Sequence, residues 1–155
     1  MNHRFHIIPL IMVMFFTSCS SVQSEEISQN VSSEEQIVIP NQIKWADCFK
    51  QEESHYLVFF HSETCNSCKE IIGDVIAFSN ANVTKTYFLD INGSDTKIPI
   101  NRDVDGTIGA TSIEGLYIAG TPTIVEFKDG AVTANVGGKD PCLSFLNDQR
   151  LIYSL

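Results

Sequence analysis

The sequence predicts an α/β domain, a three-layer sandwich with a central mixed sheet and helices on both faces. Three observations carry that expectation. Apolar runs of strand length alternate with stretches of helical periodicity. Their order is β-α-β, then a crossover into a β-hairpin, then a closing helix. A Cys65-Asn66-Ser67-Cys68 motif stands at the first strand-to-helix junction.

Taken in order, residues 41–51, with Ile43, Trp45, Ala46 and Phe49, predict a short first helix. Tyr56-Leu57-Val58-Phe59-Phe60 is continuously apolar, the pattern of a strand buried on both faces. Cys68, Ile71, Ile72, Val75 and Ile76 recur at i, i+3, i+4, i+7 and i+8, which predicts a helix from about Cys65 to Ser79. Residues 85–91 predict a second strand. Residues 92–111 are polar and hold Gly93, Pro99, Gly106 and Gly109, a long loop that is either functional or a disordered insertion. Residues 123–127 and 131–136 predict two strands joined by a turn at Lys128-Asp129-Gly130. Asp140 reads as an N-cap and Pro141 as the first residue of a closing helix that carries Leu143, Phe145, Leu146 and Leu151.

The chain divides into three parts: a leader at 1–18, a tether at 19–40 and the domain at 41–155. The leader has a basic start at Arg4 and a run from Ile7 to Phe16 broken only by Pro9, too short to span a bilayer. Phe16-Thr17-Ser18-Cys19 resembles the lipobox of bacterial lipoproteins, which implies lipidation at Cys19 and anchoring to the cell membrane. Phe16 departs from the small or aliphatic residue usual at its position. Ordinary cleavage near Ser18 is the alternative, and it would leave a secreted protein. Residues 20–40 are rich in Ser, Glu, Gln and Asn and lack Lys and Arg, the composition of a solvated tether.

The net charge is −9, and loss of Arg4 with the leader takes it to about −10. That balance argues against nucleic acid as a partner, because phosphate binding needs clusters of Lys and Arg.

The motif at Cys65 and Cys68 carries the chemistry. Two cysteines at this spacing can close on each other, and the partial positive charge of a helix N-terminus favours the thiolate of the first. Cys65, at the helix start and nearer solvent, is the expected attacking thiol, and Cys68, one turn in, the buried resolving thiol. Two buried core cysteines, or half of a zinc site, are the alternatives. A zinc site normally needs a second Cys or His pair, and the sequence has none at ligand spacing.

Residues 56–69, Tyr-Leu-Val-Phe-Phe-His-Ser-Glu-Thr-Cys-Asn-Ser-Cys-Lys, resemble the strand and active-site turn of thioredoxin-like proteins. Residues 120–132, with Val136-Gly137 after them, resemble that family's block around a cis-proline. The resemblance implies a thioredoxin-like fold over about 110 residues and a thiol–disulfide oxidoreductase with no cofactor beyond the Cys65–Cys68 pair. It makes Pro122 the cis-proline and gives the Thr121 backbone the task of pairing with an extended substrate segment. It is also similar to small thioredoxin-like lipoproteins of bacterial envelopes. Exported disulfide- or thiol-containing proteins would then be the partners, with a membrane redox protein for recycling.

The departures are specific. The buried acid and the lysine of many thioredoxins align with Phe59 and Phe88, so both charges are lost together. Glu63 and His61 become the nearest candidates to take the proton from Cys68, and His61 can instead tune the Cys65 thiolate. The alternative is that both are merely exposed polar residues. Ser67 can donate a hydrogen bond to that thiolate. Gly73 stands where thioredoxins usually carry a helix-kinking proline. By the resemblance, Cys48 and Cys142 lie on opposite faces of the sheet, which favours two small buried side chains over a disulfide.

Two further functions stay open. Cys65, Cys68 and His61 can hold Cu(I) or zinc, since thiolates suit a soft metal. A redox-inert peptide-binding module with a permanent Cys65–Cys68 disulfide is the other.

Overall fold

The computed structural model describes residues 37–93 and 97–153. The leader, Cys19 and most of the expected tether lie outside the described residues.

The central strand is β1 (His55–His61), and every residue after His55 is buried. Its continuous apolar run has this position for a physical reason: both faces and both edges of the strand are covered. β2 (Lys85–Asp90) lies parallel on one side, with Phe59 opposite Phe88 and His61 opposite Asp90. β3 (Thr123–Lys128) lies antiparallel on the other, and β4 (Ala131–Gly137) pairs antiparallel with β3. The order β2-β1-β3-β4 makes the sheet mixed, as the sequence predicts. The turn between β3 and β4 places Asp129 at φ 49° and Gly130 at φ 80°, the left-handed pair that a two-residue hairpin requires.

Side-chain alternation along β1 splits the core in two. Leu57 and Phe59 face a cluster with Ile71, Val75 and Phe78 of α1 (Asn66–Asn80) and Leu146 of α2 (Lys139–Tyr153). Tyr56, Val58 and Phe60 face a cluster with Trp45, Ile98, Leu116 and Ile118. Both long helices therefore cover one face. The second outer layer is made of short 3-10 turns at Trp45–Asp47, Asp105–Thr107 and Ile113–Gly115 and the chain around them.

Two expectations need correction. Residues 41–51 do not form a helix beyond the three-residue turn Trp45–Asp47. Instead the Phe88 amide donates to the Asn41 carbonyl at 3.1 Å and the Ile43 amide to the Phe88 carbonyl at 2.9 Å. The open edge of β2 supplies backbone partners, and satisfying them outweighs a weak local helix preference. The closing helix starts at Lys139 rather than after an Asp140 cap. Gly138, at φ 98°, turns the chain, and the Cys142 amide donates to its carbonyl at 3.1 Å.

The segment after β2 has a structural task. Ile98, Leu116 and Ile118 are buried in the core. Gly109 donates to the Val132 carbonyl at 2.8 Å and Val132 to the Ala110 carbonyl at 2.9 Å, which covers the outer edge of β4. Cys48 and Cys142 are free and fully buried, in clusters on opposite faces of the sheet.

Candidate active site

Cys65 sits at the junction of β1 and α1 because a hydrogen-bonded turn holds it there. Ser62 Oγ accepts from the Thr64 amide at 3.2 Å and from Asn92 Nδ2 at 2.7 Å. The Cys65 amide donates to the Ser62 carbonyl at 3.1 Å, and Cys65 then serves as the N-cap of α1. Its sulfur accepts from the Cys68 amide at 3.1 Å, the position a capping oxygen usually fills. Cys65 and Cys68 form a disulfide, with Cα atoms 5.2 Å apart. Cys65 is partly exposed and Cys68 is 1 % exposed, so an incoming sulfur reaches Cys65 first.

The Thr121–Pro122 peptide is cis, and the Thr121 carbonyl oxygen lies 3.4 Å from Cys65 Sγ. Thr123 Oγ1 donates to the Gly120 carbonyl at 2.8 Å and closes this turn. A groove lined by Gly120, Thr121, Pro122, Gly137 and Gly138 runs beside it. A Cβ added at Gly137 would meet the Ala119 Cβ at 3.0 Å, so the glycine permits the close approach of β4.

Electrostatically, the Cys68 amide and the N-terminus of α1 favour a Cys65 thiolate, and the Thr121 carbonyl opposes it. The other two thiols are in apolar surroundings. Burial pushes both Cys48 and Cys142 up to about 12. Cys142 donates to the Val136 carbonyl at 3.2 Å.

His61 is 3 % exposed and stacks on Phe59, with centroids 5.8 Å apart and planes 16° apart. Burial pushes its imidazole below the ordinary value, against the upward pull of Asp90 and Glu63. Glu63 is exposed and lines the same cavity as His61 and Cys68. Ser67 lies in the first turn of α1, and the donor at Cys65 Sγ is the Cys68 amide. Among the described residues, no three His, Cys, Asp or Glu side chains gather closely enough to hold a metal ion, His61, Cys65 and Cys68 included.

With the geometry in place, the chain is similar to a solved structure of the thioredoxin of Malassezia sympodialis. The two share 23% identity over 78% of this chain and 99% of that one, with a TM-score of 0.53. The fold is thioredoxin-like. Chlamydomonas reinhardtii thioredoxin f2 aligns at 16% identity over 71% of this chain and 95% of its own, with a TM-score of 0.48. Mitochondrial thioredoxin 3 of Saccharomyces cerevisiae, in its oxidised form, aligns at 16% over 70% and 93%, also at 0.48. No family model and no curated protein matches the chain.

Within this thioredoxin-like fold, Phe59 and Phe88 are fully buried and meet edge to face at 5.9 Å. An apolar pair thus fills this part of the core between β1 and β2. Sequence reasoning missed Ser62, Asn92, Ile37 and Ile39. The Ser-x-Thr spacing at Ser62 and Thr64 is a legible turn signal. Nothing local marks Asn92, Ile37 or Ile39, which reach the site from other parts of the chain.

Proposed function

We propose that this protein is a thiol–disulfide oxidoreductase working outside the cytoplasm on exported proteins or peptides. One observation carries the reaction type: a Cys65–Cys68 pair at a helix N-terminus, with Cys65 partly exposed, Cys68 buried and the Thr121 carbonyl beside the outer sulfur. Cys65 attacks a substrate disulfide and Cys68 resolves the mixed disulfide, or the same steps run in reverse. The Thr121 backbone and the groove beside it offer an extended segment a strand-like partner.

The location rests on the leader and the lipobox-like Phe16-Thr17-Ser18-Cys19. Lipid on Cys19 tethers the domain to the bacterial cell membrane, and a membrane redox protein recycles the dithiol. Labelling with a fatty-acid analogue tests the anchor: incorporation is expected in the wild type and lost in Cys19→Ala.

The reaction is tested by reduction or oxidation of a model disulfide peptide. The wild type is expected to catalyse one of them, and Cys65→Ser to lose that activity. Full activity in Cys65→Ser overturns the assignment. Failure of the wild type in both directions, with the disulfide intact in strong reductant, favours the redox-inert peptide-binding module.

A further inference from the structure

His61 shares a cavity with the buried cysteine. The space, about 350 Å³, is lined by Ile37, Ile39, Cys68, Lys69 and Ile72 together with His61, Ser62 and Glu63. His61 Nε2 is buried and has no hydrogen-bond partner among the described residues. An orphaned imidazole nitrogen is costly in an apolar site, and such groups in folded proteins call for an explanation. The cavity has room for several waters, each of which takes about 30 Å³ in the liquid.

We propose that His61 is the proton acceptor for Cys68, acting through water in this cavity. The inference rests on the oxidoreductase reading above. In the resolving step the Cys68 thiol gives its proton to water and thence to His61 Nε2. The Cys68 sulfur bonds to Cys65, the bond between Cys65 and the substrate sulfur breaks, and the substrate leaves as a thiolate. The substrate disulfide gains the two electrons that the dithiol loses. In reverse, a substrate thiolate opens the Cys65–Cys68 disulfide and the proton returns from His61 to Cys68.

The site suits a base. Phe59 and Phe88 provide no carboxylate or amine. Burial keeps His61 neutral near pH 7, the form that accepts a proton. The charged groups facing it are Asp90 of β2, Glu63 of the turn and Lys69 of α1. Both acids favour the imidazolium once it forms.

The test uses the full chain carrying Cys19→Ser, reduced and mixed with dithiobis(nitrobenzoate) in a stopped-flow instrument. The first nitrothiobenzoate released reports attack by Cys65, and the second reports resolution by Cys68. Absence of the first phase in the wild type counts against the oxidoreductase reading itself. With that phase present, the second is expected to be flat with pH from about 7 to 8 and to fall below the His61 inflection, under about 6.5. His61→Phe, which keeps the ring stack on Phe59, and His61→Gln are expected to slow the second phase at least ~10-fold at pH 7 and make it rise with pH. The first phase should change little. A variant with the wild-type rate, or a slower one with an unchanged profile, overturns the proposal. A wild-type second phase without an inflection below about 6.5 overturns it independently of how the variants fold.

Discussion

Cys65 Sγ and the Thr121 carbonyl oxygen are 3.4 Å apart, although the two residues are 56 positions apart in the chain. The contact joins the start of α1 to the turn before β3 and sets the partly exposed Cys65 beside Thr121, which lines a groove with Gly137 and Gly138. Cys68, behind it, is screened from a bulky partner.

This asymmetry predicts how the pair divides its work. Cys68→Ser should retain attack by Cys65 and lose resolution, so turnover falls at least ~100-fold, as expected for loss of a reacting group. Mixed disulfides with substrate should accumulate on non-reducing gels. Mass mapping should place every adduct on Cys65, and adducts on Cys48 or Cys142 would contradict the division.

Cys48 and Cys142 should be inert in the folded protein. Each thiol is pushed up to about 12, so at pH 8 only about one in 10⁴ is a thiolate. Iodoacetamide at pH 8 should leave both unmodified in the native state and label both in denaturant. Labelling of either at the rate of an exposed cysteine contradicts the burial described above.

Glu126 is a buried carboxylate at the centre of a polar cluster. It accepts from Thr133 Oγ1 at 2.7 Å and Gln149 Nε2 at 3.0 Å, and meets His55 Nε2 and Lys128 Nζ at 3.0 Å each. Burial raises its pKa, but hydrogen bonds from Thr133, Lys128 and His55 together hold it below the ordinary value. A depressed folded value stabilises above the unfolded value of about 4.3, and that contribution is lost as pH falls through the folded value. Glu126→Gln should cost about 2 kcal/mol at pH 7 in urea unfolding. The gap from wild type should narrow below about pH 4, and a gap that is constant with pH would contradict the linkage.

Gly73 is an exposed interior residue of the continuous helix α1, and a Cβ there would meet nothing within 4 Å. Gly73→Ala should therefore stabilise the domain by about 0.5–1 kcal/mol, through lower backbone entropy in the unfolded chain. A higher thermal midpoint at unchanged disulfide-exchange rate is the expected result. Destabilisation would show that the position needs glycine.

Local pattern was enough wherever the signal is carried by neighbours in the chain. The apolar run of β1, the i, i+3, i+4 spacing of α1, the Asp129-Gly130 turn and the Cys65–Cys68 pair all report interactions within a few residues. The blocks at 56–69 and 120–132 were legible in the same way, and they foreshadowed a dithiol and a proline turn without showing how closely they meet.

What only the tertiary structure decided is set by partners distant in sequence. Residues 41–43 pair with the edge of β2 instead of coiling, because an unpaired strand edge offers hydrogen bonds that a short helix does not. Residues 97–118 became a core-forming cover because both long helices lie on the opposite face, leaving Val58 and Phe60 to be shielded. The sequence by itself determined which two sulfurs pair. The packing of Ile37, Ile39 and Ile72 around His61 and Cys68 decided which imidazole shares a cavity with the buried sulfur, since burial brings together groups that spacing along the chain keeps apart.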